Sequence, residues 1–122
     1  METTSAPALS WPELDTAGRH LDTIRIAIGS DRAIASMLGV SPSQVSRWRG
    51  GQTPDRENAD RVAALALVVE MLLRWLDATV VEDWLLGPNA HLADRTPAFL
   101  IRKGRLADVL GAAEALKAGV YA

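Results

Sequence analysis

Helix start and stop signals recur along this 122-residue chain, and the apolar residues between them are spaced three and four positions apart. No stretch of alternating apolar and polar residues that would indicate a strand lies between these signals. The pattern therefore predicts an all-α fold. The predicted helices cover residues 13–28, 31–38, 42–49, 54–76, 78–86, 96–102 and 106–118.

The clearest start signal is the run Ser41-Pro42-Ser43-Gln44. Ser41 is predicted to cap the helix, proline takes the first helical position, and glutamine follows three residues after the cap, which is the spacing of a capping box. Ser30 is the expected N-cap of helix 31–38, and Gly39 follows that helix at the position where a left-handed backbone is needed. Two short helices joined by a tight turn are therefore predicted.

The next helix is predicted to begin at Thr53-Pro54, which repeats the signal of a capping residue followed by proline, and to continue to Leu76. Within it, Glu70 and Arg74 are spaced for an ion pair. Apolar residues occupy nearly every side of the helix from Val62 onward, so it must be covered on several sides. It is expected to be the central element of the fold or part of a subunit interface.

Residues 31–49 have the spacing of a helix-turn-helix. Ala35 permits close packing of the two helices, and Val40 and Val45 are expected to face inward. Trp48 is expected in the core, because a tryptophan beside an apolar helix is usually buried; stacking beside DNA is the alternative. The second helix would then present its polar side to a DNA major groove.

The DNA contacts follow from which side chains this helix projects outward. Ser43 and Gln44 rank first as base readers, and Arg47 comes next, because glutamine pairs with adenine edges and arginine with guanine. The alternative, that single arginines only solvate an exposed face, is less favoured because the cap, the turn and the apolar positions coincide. The full predicted set is Ser43, Gln44, Ser46 and Arg47 on the reader helix, with Arg49, Arg32, Thr53 and Arg56 as phosphate contacts.

The charge balance predicts that one copy binds DNA weakly. The net charge is −2 and the pI about 5.6, and between residues 31 and 61 five arginines face four acids. Specific binding is therefore expected to need a homodimer or a larger complex that places two reader helices on the same duplex.

Catalytic, metal-binding and membrane functions find no support in the sequence. There is no cysteine, and the two histidines, His20 and His91, lie far apart without ligand-spaced partners. We expect no enzyme activity, no metal and no cofactor. The first eight residues lack the pattern of a signal peptide, and the longest apolar run, 62–76, is shorter than a membrane span, so a cytoplasmic location is expected.

The second half carries a set of motifs that resembles a known family. They are Glu82-Asp83-Trp84-Leu85-Leu86-Gly87-Pro88-Asn89, Leu92, Thr96-Pro97, Leu100-Ile101, Gly104, Val109-Leu110 and the ending Ala118-Gly119-Val120-Tyr121-Ala122. Together they resemble the toxin-binding domain of the MbcA/ParS/Xre antitoxins. With the helix-turn-helix, the resemblance covers residues 29–122. No linker or repeat separates the two halves, so we place their boundary near the end of the long helix. Three parts are therefore expected: an N-terminal segment with the first helix (1–28), the helix-turn-helix module with the long helix (29–76) and a helical toxin-binding domain (77–122).

The resemblance implies a protein partner. Toxins paired with this family are RES-domain proteins that destroy NAD, so NAD would be the toxin's substrate and not a cofactor of this chain. The antitoxin covers the toxin's active site with its C-terminal segment, here Gly119, Val120, Tyr121 and Ala122, and many members repress their own operon. From the residues alone, a frayed terminus is the alternative for this segment.

Three basic residues near the C-terminus, Arg102, Lys103 and Arg105, are candidates for an acidic surface of the toxin, or else they are solvated side chains. Two other functions remain open. One is a plain helix-turn-helix repressor whose second half only dimerises, and the other is an adaptor that no longer binds DNA.

Overall fold

The computed structural model describes the backbone of residues 5–120 and the side chains of residues 16–119. Within that range the chain forms α-helices and one short 3-10 turn at Ala90–Leu92, with no strand, so the all-α prediction is confirmed. The helices are α1 (Ser5–Ala27), α2 (Asp31–Leu38), α3 (Pro42–Arg49), α4 (Arg56–Leu72), α5 (Ala78–Leu86), α6 (Pro97–Arg102) and α7 (Leu106–Val120).

The predicted start of the fourth helix at Thr53-Pro54 is wrong. Asp55 is the N-cap of α4, and its Oδ1 accepts a hydrogen bond of 3.0 Å from the backbone N–H of Asn58. An aspartate caps a helix better than a threonine, and its charge is favourable at the positive end of the helix dipole. Thr53 and Pro54 therefore belong to the loop between α3 and α4.

The predicted end of this helix at Leu76 is also wrong, because α4 ends at Leu72. The backbone N–H groups of Arg74 and Trp75 each bond to the carbonyl three residues earlier, at 3.2 and 2.9 Å, which tightens the chain into a turn. No ion pair joins Glu70 to Arg74, although both residues are described, since Arg74 lies in this turn beyond the helix.

Two further differences concern segments without a strong local signal. The first helix begins at Ser5 instead of Glu13. The 3-10 turn at Ala90–Leu92 was not predicted; the loop around it is closed by an isolated bridge between Asn89 and Arg95.

One hydrophobic cluster joins the two halves of the described chain. It includes Ile34 of α2, Leu65 of α4, Leu100 of α6 and Val109 of α7, all of them essentially inaccessible to solvent. In the helix packing, α1 lies along α4, and α6 contacts α2, α4, α5 and α7. The C-terminal half is therefore packed directly against the helix-turn-helix.

Candidate nucleic-acid interface

The turn between α2 and α3 has the geometry predicted for it. Ser30 caps α2 by accepting a bond of 3.1 Å from Ala33 N–H. Gly39 has φ 74° and ψ 32°, a left-handed backbone, and its N–H bonds to the carbonyl of Ser36 at 3.3 Å. The chain can therefore reverse within two residues and enter α3 at Ser41.

The capping box of α3 is present in both directions. Ser41 Oγ accepts from the N–H of Gln44 at 3.2 Å, and Gln44 Oε1 accepts from the N–H of Ser41 at 3.0 Å. Val45 is fully buried and Trp48 is only 4% exposed, which confirms the core position predicted for the tryptophan. These two residues fix the inner side of α3, so its opposite side faces solvent.

The exposed side of α3 carries Ser43, Ser46 and Arg47, three of the four residues that the sequence predicts on the DNA-facing side of this helix. Gln44 differs, because it is half-buried and its Oε1 is held by the capping box. Pairing with both edge atoms of adenine needs Oε1 together with Nε2. Gln44 can therefore offer a base only its amide N–H groups while the capping box is intact.

Arg49 joins three helices through two carboxylates. Its Nε and Nη2 donate to the Asp31 carboxylate at 3.1 and 2.7 Å, and its Nη1 donates to Asp22 at 2.7 Å. The hydrogen bond from Arg49, with a weaker contribution from Arg25, lowers the pKa of Asp31, while Asp31 raises the pKa of Arg49. The side chain predicted to contact phosphate is therefore already occupied in holding α3 to α2 and α1.

The other predicted phosphate contacts are accessible. Arg32 and Arg56 are exposed, as is Thr53 in the loop before α4. No carboxylate lies within ion-pair distance of either arginine among the side chains of residues 16–119, in contrast to Arg61, which pairs with Glu57 at 3.3 Å. Like the exposed Arg47 of α3, these residues are therefore available for contact with DNA.

The basic residues predicted for the toxin have two different environments. Arg105 pairs with Asp108 at 2.6 Å. Arg102 and Lys103 instead lie over the ring of Phe99, with the guanidinium carbon and the ammonium nitrogen 5.9 and 5.3 Å from the ring centre. Phe99 precedes these residues by three and four positions, a spacing that makes side chains neighbours on a helix, so the sequence held a signal for this contact that the charge pattern alone does not show.

The predicted toxin-binding tail is only partly described. Gly119 is exposed near the end of α7. The side chain of Val120, together with Tyr121 and Ala122, lies outside the described residues. The helix that carries the tail is anchored by Val109, Ala112 and Ala113, which are buried in the core.

Comparison with known proteins relates both halves of the chain to known families. The family model described as Bacteriophage CII protein matches residues 13–107. Mycobacterial cidal antitoxin MbcA, from Mycobacterium tuberculosis H37Rv and from Mycobacterium bovis, is 35% identical over 89 residues, which is 72% of this chain and 79% of the relative. The chain belongs to both families. A probable mycobacterial cidal antitoxin of M. tuberculosis is also 35% identical, over 88 residues.

Membership in the MbcA family extends to the three-dimensional structure. A chain in the crystal structure of the M. tuberculosis MbcT–MbcA toxin–antitoxin complex matches with a TM-score of 0.69 and 27% identity. The match covers 89% of this chain and 96% of that chain. The resemblance to the MbcA/ParS/Xre antitoxins predicted from the sequence is thereby confirmed.

Two further observations concern metal binding and membrane insertion. Among the described side chains, no three His, Asp or Glu residues gather into a group that could hold a metal ion. In the same part of the chain, none of the helices combines the length and the apolar character needed to cross a bilayer.

Proposed function

We propose that this protein is the antitoxin of a toxin–antitoxin pair and that it binds and neutralises its partner toxin. The observation that carries the proposal is the match to a chain of the MbcT–MbcA complex, which covers 96% of that chain. Nearly the whole of that fold is present here, so we expect a toxin-binding surface on the same helices; because a fold alone does not establish a function, the experiment below tests it.

The partner in this proposal is a RES-domain toxin that degrades NAD, as the resemblance to MbcA/ParS/Xre antitoxins implies. The tail from Gly119 to Ala122 would cover the toxin's active site. The structure supports this arrangement in one respect: α7 is anchored by buried Ala112 and Ala113, while Gly119 near its end is exposed. A short segment of small residues with one tyrosine on a rigid base is suited to enter a pocket.

The test is co-expression of the full chain with the product of the adjacent gene. The two proteins are expected to purify together, and the antitoxin is expected to preserve cellular NAD and growth. Deleting residues 119–122 should weaken that protection while leaving the circular dichroism spectrum and the melting temperature nearly unchanged. The substitution Tyr121→Phe then measures how much of the protection depends on the tyrosine hydroxyl. Full protection by the deletion variant would contradict the role of the tail. A chain that purifies without any partner would favour the plain repressor.

A second activity, regulation of its own operon through DNA binding, is supported by the exposed Ser43, Ser46 and Arg47 side of α3. Arg47→Glu is expected to weaken binding to the promoter region of the operon by about tenfold or more, since it replaces an attraction to DNA by a repulsion. Arg74→Glu, an equal charge change at an exposed residue beyond α4, is the control. If the two variants bound the promoter region with equal affinity, α3 would not be a DNA reader, and the alternative of an adaptor that no longer binds DNA would be favoured.

The predicted homodimer has a candidate surface in the groove between α1 and α4. The groove has a volume of about 410 Å³, with Arg19 and His20 on its α1 wall and Leu67 and Glu70 on its α4 wall. Leu67 is 45% exposed although it is a large apolar residue. In a two-fold pair the same surface meets itself. We propose that the two Leu67 side chains meet at the axis, with Glu70 of each copy opposite Arg19 of the other.

A further inference from the structure

The C-terminus of α6 lies against the turn of the helix-turn-helix. A Cβ atom at Gly39 would be only 2.9 Å from Nε of Arg102, so the arginine side chain passes directly over this glycine. Gly39 precedes Ser41, the cap of α3, by two residues. Arg102 is thus placed beside the end of α3 that enters a major groove in helix-turn-helix proteins.

A residue of α4, Arg61, holds the backbone of Arg102 in place. Arg61 donates from Nε to the backbone carbonyl of Arg102 at 2.8 Å, and its guanidinium lies against Gly104, where a Cβ atom would be 3.0 Å from Nη2. Arg61 is itself paired with Glu57. Arg61 therefore fixes the C-terminal end of α6 next to the helix-turn-helix.

The charges of Arg102 and Lys103 are not cancelled by neighbours. Both side chains are exposed, and neither has a carboxylate within 4.0 Å among the described residues. The ring of Phe99, itself 37% exposed, orients both cations. An aromatic ring attracts a cation through its quadrupole but carries no net charge, so the local positive potential is preserved.

The front half alone supplies few free cations to a DNA surface. Of the five arginines between residues 31 and 61, Arg49 and Arg61 are paired with carboxylates, which leaves Arg32, Arg47 and Arg56. The whole chain has a net charge of −2. Because affinity for duplex DNA depends on cations placed at phosphates, Arg102 beside the turn and Lys103 next to it in the sequence would raise that affinity substantially if both reach phosphates.

We propose that Arg102 and Lys103, in the C-terminal half, form part of the DNA-binding surface and contact the phosphodiester backbone beside the N-terminal end of α3. The proposal rests on the DNA-binding activity proposed above and adds to it a second, non-adjacent set of contacts. It assigns these two residues to DNA instead of the acidic toxin surface predicted from the sequence. Arg105, neutralised by Asp108, is not part of the surface.

The test measures the salt dependence of binding to a mixed-sequence duplex of roughly 30 base pairs, a length that accommodates two reader helices one DNA turn apart. Each phosphate contact contributes about 0.9 to the slope of log K against log salt. Arg102→Gln/Lys103→Gln in the full chain is therefore expected to reduce the slope by roughly 1.8 for each bound copy, which is roughly 3.6 for the proposed homodimer, and to weaken binding at low salt. Arg105→Gln should leave the slope unchanged, and Arg102→Lys/Lys103→Arg should restore it.

The possible outcomes separate this inference from the proposed function. An unchanged slope in the double glutamine variant, with Arg47→Glu still defective, overturns the role of Arg102 and Lys103 and leaves DNA binding by α3 intact. An unchanged slope accompanied by loss of toxin co-purification assigns the two cations to the protein partner. If the wild-type chain binds no duplex at any salt concentration, this inference and the DNA-binding activity both fail, whereas the antitoxin activity is judged by co-purification alone.

Discussion

Gly39 meets two requirements at a single position. Its φ of 74° is a left-handed conformation that costs an L side chain roughly 1 to 2 kcal/mol. A Cβ atom there would also meet Arg102 Nε at 2.9 Å. The turn therefore needs glycine both for its backbone and for the close approach of α6.

We predict that Gly39→Ala lowers the free energy of unfolding by about 1 to 2 kcal/mol, measured by urea denaturation. Gly111→Ala is the matched control, since Gly111 lies within α7 without a positive φ and nothing lies within 4 Å of the position of its Cβ atom. That control should raise stability by about 0.5 to 1 kcal/mol, because alanine favours a helix more than glycine does. Equal effects of the two substitutions would contradict the role given to the turn.

Asp31 shows how a charged residue can be structural within a predicted DNA-binding module. Its pKa is lowered chiefly by the hydrogen bonds from Arg49, so protonation is harder in the folded than in the unfolded chain. The stabilisation is present above the unfolded pKa of about 3.9 and is lost as the pH falls through the lower folded pKa. The loss of the Asp31–Arg49 ion pair should therefore contribute to the decrease in the free energy of unfolding at acidic pH.

We predict that Asp31→Asn lowers the free energy of unfolding by roughly 1 kcal/mol near neutral pH, a modest value because both side chains are about 30% exposed. Below the folded pKa the difference from wild type should shrink. Urea denaturation of both proteins at several pH values down to about 3 measures this difference in the free energy of unfolding. Asp60→Asn, at an exposed residue without an ion pair, makes the same charge change and should show neither effect. If the variant Asp31→Asn were less stable than the wild type by the same amount at every pH, protonation of Asp31 would not contribute to the loss of stability in acid.

At the scale of helices, α4 shows that neighbouring capping signals compete. Thr53-Pro54 and Asp55 are both acceptable starts, and the chain uses the carboxylate. We predict that Asp55→Ala lowers the free energy of unfolding by about 1 kcal/mol, whereas Thr53→Ala has almost no effect. Thermal denaturation of the two variants provides the comparison, and a larger loss from Thr53→Ala would mean that the helix begins earlier in solution.

Helix positions were predictable from the sequence where the signal was local. Ser30 and Ser41 cap α2 and α3 as predicted, because a hydroxyl oxygen reaches an N–H only three residues away, and Thr96 caps α6 through the same contact. The turn after Leu92 was missed: Ala93 and Asp94 have positive φ there, and neither residue type marks such a turn as glycine would.

The candidate DNA surface was predictable only in part. Ser43, Ser46 and Arg47 lie on the exposed side of α3 because Val45 and Trp48 define its buried side. The pairing of Arg49 with carboxylates 18 and 27 residues away, and the approach of Arg102 to Gly39, depend on how helices pack. Spacing along the chain contains no information about such distant contacts.

At the scale of the molecule, the proposed DNA and toxin surfaces share one hydrophobic core. Ile34 of the helix-turn-helix and Val109 of α7, the helix that leads to the tail, belong to the same buried cluster. A core substitution is therefore expected to impair both activities together, so surface substitutions are required to separate them. The groove between α1 and α4 is the surface on which oligomeric state can be tested independently.

We predict that Leu67→Glu converts the proposed homodimer into a monomer, because each copy would bring a carboxylate to the two-fold axis close to the existing Glu70. Sedimentation equilibrium measures the shift. Val80→Glu is the matched control, since Val80 is 44% exposed on α5 and lies outside the groove. The monomer should keep its helical content but bind a two-site duplex more weakly, since two reader helices would no longer be held together. A Leu67→Glu protein that remains dimeric would place the interface elsewhere.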